Sequence, residues 1–354
     1  MTCNDGLVKG NAFFGFVKDE ARKKKIPITA TFELTPRCNF NCKMCYVHLK
    51  EDNIHLHGHE LSGDKWIEIA KEAKDAGVLT LCITGGEPIL HPEFKRIYEE
   101  ISKMGFYITL QTNLSTIKGD ILKLIKKYPP SEIKFSIYGS NDEVYKEVCG
   151  VSGGFTAVDS SIKEIKKLNI PLLAVTTLIK QNIHDIGNIH AYCTRMGIPW
   201  IYTSSVKPSV RGADELAKGV PLTEEDMTDV EADVRDMIDR PCKKENLKPC
   251  EVCKDQGVSF WMTWDGKMRF CSFMNEPNIS IEENSLKEAW NKLLDYEENL
   301  RWPDECYSCE IFKICRKCSG MLNAASGSPL KVDKDYCDKL KRYVKAEMDR
   351  RNEI

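Results

Sequence analysis

The chain has no apolar run approaching the roughly 20 residues that a membrane-spanning helix needs. Its first residues, Met1-Thr-Cys-Asn-Asp-Gly, lack the charged-then-apolar order of a secretion signal. Charge of one sign is missing too. Lys and Arg number 51 against 53 Asp and Glu, a net charge of −2, and the isoelectric point is near 6.4. That balance gives nucleic acid or an acidic membrane nothing to hold. The run Arg22-Lys-Lys-Lys25 reads as a solvated helix face. The expectation is a cytoplasmic protein with no membrane and no nucleic-acid partner. Cysteine, by contrast, is abundant: 16 of 354 residues, which in a reducing compartment argues for metal or cluster ligation more than for disulfides.

The chain is long enough for one barrel and a smaller appendage. After an N-terminal segment (1–27) with a helix over Phe13–Lys25, short β-rich apolar runs alternate with amphipathic stretches. Strands are expected at Ile28–Leu34, Val78–Ile83, Phe106–Gln111, Glu132–Tyr138, Pro171–Leu178 and Pro199–Thr203. Helices are expected at Gly63–Ala76, Glu93–Met104, Lys118–Lys127, Phe155–Leu168 and Ile183–Met196. Six such units predict an α/β fold, a parallel sheet curled into a partial (β/α)6 TIM-like barrel over 28–215. A bridging helix near Leu222–Ile238 (within 216–241), a cysteine-rich region (242–345) and a tail (346–354) complete the expected order. Sites in such barrels lie at the C-terminal ends of the strands.

The first expected strand runs into Cys38-Asn-Phe-Asn-Cys42-Lys-Met-Cys45. Three thiolates so spaced can wrap three corners of a cubane cluster, and no fourth cysteine follows closely, so one iron would stay open. Zinc is the competing occupant, though structural zinc wants four ligands. Gly85-Gly86-Glu87-Pro88 follows the second strand; alone it is compatible with a tight turn.

Together, Thr31-Phe-Glu-Leu-Thr-Pro-Arg-Cys38, the three cysteines and Gly85–Pro88 resemble the radical S-adenosylmethionine enzymes. The resemblance implies a [4Fe-4S] cluster on Cys38, Cys42 and Cys45 that binds S-adenosylmethionine through its open iron. It places Met44, where the family usually has an aromatic residue, and Gly85, Gly86, Glu87 and Pro88 at the cofactor. It also brings the strand-end residues Asn113, Ser136 and Thr177 to the nucleoside or methionine parts; strand-end capping is the other reading of these three. His48, His55, His57 and His59 read as a polar excursion, with metal binding as the lesser alternative.

From Cys242 the composition changes. Cys250, Cys253, Cys271, Cys306, Cys309, Cys315, Cys318 and Cys337 resemble the SPASM extension of these enzymes, which holds two auxiliary four-iron clusters. The resemblance assigns one cluster to Cys250 or its neighbours, Cys253, Cys271 and Cys318, and the other to Cys306, Cys309, Cys315 and Cys337, leaving Cys242 spare. Three [4Fe-4S] clusters are implied in all. Cys315-x2-Cys318 departs from the usual Cys-x3-Cys; a pair of zinc knuckles is the competing account. Phe260–Cys271 reads as a hairpin turning at Asp265-Gly266. Cys149 reads as a loop residue near the mouth.

Enzymes with this extension mostly modify peptides or proteins. The resemblance implies reductive cleavage of S-adenosylmethionine to a 5′-deoxyadenosyl radical and oxidative modification of a ribosomal peptide, as a thioether or carbon–carbon cross-link. Formylglycine formation, as in sulfatase maturation, is the alternative; Ser272 stands where those enzymes carry an Asp. A zinc scaffold and a ferredoxin-like carrier are the readings from other classes. The expected partners are a peptide or protein substrate, a separate leader-peptide-binding protein, and an electron donor of flavodoxin or ferredoxin type. Either that separate protein presents the peptide, or recognition uses the mouth and the loops Glu51–Glu60 and Lys207–Lys218; a plain linker is the other reading of the second loop.

Overall fold

The computed structural model describes residues 11–204, 206, 209–213, 220–222, 248–250, 253, 256–315 and 317–352. Cys3, Cys242, all but the first residue of the expected bridging helix and most of the loop Lys207–Lys218 lie outside them.

Six parallel strands form the barrel wall: β1 (Thr29–Glu33), β2 (Thr80–Thr84), β3 (Tyr107–Thr112), β4 (Glu132–Ser136), β5 (Leu172–Thr177) and β6 (Trp200–Thr203). They neighbour one another in chain order, as helical crossovers between parallel strands require. The helices are α1 (Asn11–Lys23), α2 (Gly63–Ala76), α3 (Phe94–Lys103), α4 (Gly119–Lys127), α5 (Asp142–Cys149), α6 (Gly154–Lys167) and α7 (Ile186–Met196). Their boundaries follow local chemistry. The Ser62 hydroxyl accepts the Lys65 amide at the start of α2, and Gly77, at φ 109°, ends it where a side chain would be strained. The inward stripe of α2 places Trp66, wholly buried, against Phe32 of β1, ring centres 5.2 Å apart.

Two features differ from the sequence reading. The short helix α5 stands where a loop is expected; Asn141 caps its start through the amides of Glu143 and Val144, and Gly150 ends it. Cys149 is therefore the last residue of a helix, and it is buried. The hairpin, too, is not apart from the barrel. Its first arm, β7 (Ser259–Met262), pairs in parallel with β1 in the register Thr29 to Ser259. Arms β8 (Lys267–Arg269) and β9 (Ile279–Ser280) continue antiparallel, so one nine-stranded sheet runs β6-β5-β4-β3-β2-β1-β7-β8-β9. Helix α8 (Leu286–Asn299) packs across α2 and β8, and Trp290 Nε1 donates to the Lys25 carbonyl at 2.7 Å. Asp304–Tyr307, Ser319–Ser326 and Lys334–Asn352 are helical; Cys306 and Cys337 lie in them, Cys318 just before the second, and Cys309 and Cys315 in the segment between, with a small core around Trp302, Cys306 and Leu322. Among the described residues no helix is long and apolar enough to cross a membrane.

Candidate cluster and cofactor site

The loop leaving β1 is held at both ends by backbone. Gly86 N donates to Thr35 O at 2.8 Å and Glu87 N to Arg37 O at 2.7 Å. The glycines are there because the two loops touch. A Cβ on Gly86 would lie 2.4 Å from Arg37 O, and one on Gly85 2.6 Å from Thr35 O, both inside contact distance. Asn41 N and Lys43 N donate to the carbonyls of Cys149 and Val148, each at 2.9 Å. Helix α5 thus clamps the loop from the other side. The Arg37 side chain reaches Glu60 (2.8 Å) and Glu51 (2.6 Å), which also bind it to the segment after the cysteines. That tether is what the structure shows Glu51 and Glu60 doing; residues Glu51–Leu56 form a 3₁₀ turn.

Cys38, Cys42 and Cys45 face one another closely enough that each charge would disfavour the next. Burial, then that repulsion, pushes Cys38 well above the ordinary thiol range and Cys45 up to about 12. Backbone amides point at the sulfurs: Phe40 N at Cys38 Sγ (3.4 Å), and Val47 and His48 at Cys45. Half-buried thiols with amide donors suit iron ligation, where a metal would replace the proton and N–H···S bonds would tune the cluster. Among the described residues no three His, Cys, Asp or Glu side chains close on a single-ion position. A cubane holds its thiolates further apart than one ion does, so this is compatible with a cluster. Cys149, expected in a loop near the mouth, sits at the end of α5 beside Cys42 and raises it further. Cys149 is not among the groups acting on Cys38 or Cys45. It backs one ligand and is not equivalent to the three.

Glu87 is fully buried, and its carboxylate accepts Thr112 Oγ1 at 2.8 Å and the Asn113 amide at 2.7 Å, while it also caps Ile89. Burial raises it to about 7 against those donors. Its side chain therefore ties the β2 loop to the end of β3. Asn113 in turn donates to Asn39 Oδ1 at 2.9 Å and accepts from Ser115, joining β3 to the cysteine loop. Ser136 accepts from Tyr138 Oη at 3.3 Å, and Tyr138 senses Cys42, Cys45 and Cys149. Thr177, half-buried at the end of β5, gives its carbonyl to Asn182 (3.1 Å). Pro88 begins a 3₁₀ turn, and Met44 is buried in the main core. Of the four histidines, His57 packs against Gly212.

The charges of the C-terminal cysteines act on one another mainly in two sets, with Tyr336 near members of both. Cys250, Cys253, Cys271 and Cys318 influence one another, with the amides of Phe273 and Met274 toward Cys271. A Cβ on Gly320 would sit 3.0 Å from Cys271 Sγ and 3.8 Å from Cys318 Sγ. Cys306, Cys309, Cys315 and Cys337 form the other group, beside Lys317. Lys317 is itself buried over Trp302 and Phe312, and donates to Phe312 O at 2.7 Å. The first group meets the barrel directly: Tyr46 Oη lies 3.2 Å from Ser272 Oγ, and its ring packs 4.7 Å from that of Phe273.

A parallel barrel with three thiols at its C-terminal mouth defines a class, and comparison with known proteins agrees with it. Residues 32–193 match the Radical SAM superfamily. The matched segment, which holds Cys38, Cys42, Cys45 and Gly85–Pro88, is a radical SAM domain. That family implies a 4Fe-4S cluster and S-adenosylmethionine. Sporulation killing factor maturation protein SkfB of Bacillus subtilis (strain 168) is 24% identical over 269 residues, 74% of this chain and 64% of that protein. The chain thus spans under two thirds of SkfB. AdoMet-dependent heme synthase of Methanosarcina barkeri (strain Fusaro / DSM 804) is 22% identical over 341 residues, 88% of this chain and 96% of that one. The crystal structure of Streptococcus suis SuiB bound to S-adenosylmethionine superimposes with a TM-score of 0.68 at 18% identity, covering 89% of this chain and 79% of that chain. That likeness is one of fold.

Proposed function

We propose that the protein is a peptide maturase that uses S-adenosylmethionine to oxidise a residue of a ribosomal peptide, forming a thioether or carbon–carbon cross-link. The observation that carries this reading is the thiol loop after β1, where Cys38, Cys42 and Cys45 lie together and are braced by Gly85, Gly86 and α5. Relatives support the peptide. SkfB is a maturation protein, and SuiB has been solved with its precursor peptide SuiA. In this reading Cys38, Cys42 and Cys45 hold the cluster that binds the cofactor. Cys250, Cys253, Cys271 and Cys318 hold one auxiliary cluster, and Cys306, Cys309, Cys315 and Cys337 the other. Bound clusters supply one-electron chemistry: reduction of the cofactor sulfonium at the mouth, and removal of an electron from the substrate through the auxiliary sites.

The chain's own residues do the rest. Gly85 and Gly86 let the second loop lie against the first, Glu87 locks the loop of β2 to β3, and Asn113 fixes Asn39 beside Cys38. A mouth so braced orients a cofactor without reorganising, and its burial excludes water. Tyr46 and Phe273 fill the space between the first and second thiol groups. An electron donor of flavodoxin or ferredoxin type and a separate leader-binding protein belong to the same proposal. The match to nearly the full length of the heme synthase favours a second reading, oxidation on a heme precursor.

The test is iron and sulfide content after anaerobic reconstitution, with cofactor cleavage under dithionite, in the wild type and in a Cys38/Cys42/Cys45→Ala variant. Three cubanes predict about twelve irons per chain, falling to about eight in the variant, with 5′-deoxyadenosine formed by the wild type alone. Incubation with precursor peptides then seeks a mass decrease by lost hydrogen. Zinc in place of iron, without cofactor cleavage, sinks the proposal. Consumption of a porphyrin but of no peptide selects the second reading.

A further inference from the structure

A cavity of about 280 Å³ opens between the barrel mouth and the β7–β8 hairpin, lined by His57, Arg211, Asp265, Arg269, Asn275 and Asn278. No cysteine lines it. Two guanidinium groups dominate it, and both are short of acceptors. The Arg211 side chain, 12% exposed, spends Nη1 on the two oxygens of Glu33 (3.1 and 3.0 Å), while its Nε and Nη2 are buried without a partner. Arg269, 6% exposed, gives Nη1 to Met274 O (3.0 Å) and Nη2 to Asn278 Oδ1 (2.7 Å), and its Nε is buried without a partner. Among the described residues Arg269 has no carboxylate at ion-pair distance. Glu33 is already shared with Trp261 Nε1 at 2.8 Å, and Asp265 accepts from Thr263 within the hairpin turn. Asn275 Oδ1 is a buried acceptor with no donor.

Buried arginines are ordinarily matched by anions, because an unpaired buried charge is costly and a planar guanidinium fits a carboxylate through two parallel bonds. Two arginines with free N–H groups call for one anion. An orphaned amide oxygen beside them calls for an N–H donor. A peptide carboxylate brings both; free phosphate brings no donor of that kind.

We propose that this cavity is a carboxylate-binding subsite for the substrate, in which Arg211 and Arg269 hold the carboxylate and Asn275 accepts a neighbouring peptide N–H. The subsite rests on the maturase reading and adds to it a substrate feature, an acidic side chain or a free C-terminus, positioned between the mouth and the first auxiliary thiols.

The full-length, reconstituted protein is titrated with three short peptides, following tryptophan fluorescence, since Trp264 also lines the cavity. Acetyl-Ala-Ala-Glu-amide carries only the side-chain carboxylate, acetyl-Ala-Ala-Ala only the terminal one, and acetyl-Ala-Ala-Gln-amide neither. One of the first two is expected to bind about tenfold more tightly than the third, as a charge-assisted bidentate contact allows, and the stronger one identifies the source. Arg269→Gln is expected to abolish that preference. Equal affinity for all three in the wild type overturns the subsite without recourse to a variant. So does an Arg269→Gln protein that keeps the preference while its auxiliary-cluster absorption changes, which assigns the arginine to the cluster. Cofactor cleavage is measured on the same samples; a wild type that shows no preference while cleaving the cofactor rejects the subsite and leaves the maturase reading standing.

Discussion

The thiol loop at the barrel mouth and the cysteines between Cys306 and Cys337 are both arranged as ligand sets, yet different forces hold them. The mouth loop is pinned by partners far away in the chain: Cys149, Val148, Gly86, Glu87 and Glu60 all bond to it. The distal group is held by near neighbours. Cys306 N bonds Pro303 O, Cys309 N bonds Cys306 O, Phe312 N bonds Cys309 O and Cys315 N bonds Ile311 O. Its core is the small cluster around Trp302 and Leu322. A loop fixed by the barrel keeps its shape without iron. A segment of local turns over a small core is expected to depend on any cluster it holds, since ligation there would double as folding energy.

The largest effect expected from this contrast is in hydrogen exchange. A Cys309→Ala/Cys315→Ala protein should lose most amide protection across 301–340, whereas Cys38/Cys42/Cys45→Ala should leave protection at Asn41 and Lys43 nearly unchanged. Equal loosening of both regions would break the comparison. Next comes Gly86→Ala. Its methyl meets the Arg37 carbonyl, so the two loops must part, at about 1–3 kcal/mol of stability as for other overpacked sites. Cofactor cleavage should fall with it, and chemical denaturation beside a cleavage assay reads both. A variant with wild-type stability and activity would show that the docking is dispensable.

A pH effect of intermediate size belongs to Glu297, buried behind Cys250 with one oxygen on Gly257 N (3.1 Å) and the other unpartnered. Burial raises it from 4.5 to about 8. Above pH 4.5 the unfolded chain releases this proton while the folded chain keeps it until about 8. Stability from this group is therefore greatest at acid pH and falls across that window, by at most about 1.4 kcal/mol per pH unit. Glu297→Gln should flatten that slope in urea denaturation between pH 5 and 8; an unchanged slope places the titration elsewhere. The smallest effect is Tyr46→Phe, which removes the 3.2 Å bond to Ser272 but keeps the ring on Phe273. About 1 kcal/mol or less is expected, with iron content unchanged.

The barrel was legible because its signals are local. Six apolar β runs and five amphipathic helices appear within a few residues of where periodicity puts them, and Gly63–Ala76 coincides with α2. Helix α5 was missed because eight residues are too few for a period to register, although Asn141 and Gly150 mark its ends. Cysteine spacing pointed to the loop at the mouth, and Asn113 and Glu87 were found through the motifs that carry them. Their actual work, bracing one loop on another, has no signature in spacing. Nor does the pairing of β7 with β1, more than 200 residues apart, because an edge strand's pattern records which face is buried and not which neighbour it joins.

What the sequence determined by itself is the chemistry available: three closely spaced thiols, a glycine pair that permits close approach, eight further thiols in an ordered array, and a nearly balanced charge. What only the tertiary structure decided is proximity. It set Cys149 against Cys42, laid Tyr46 on Ser272, and brought Arg211 and Arg269 to one cavity. The reason is physical: residue type and short-range periodicity are written along the chain, whereas contacts across long loops exist only once the sheet has closed its neighbours together.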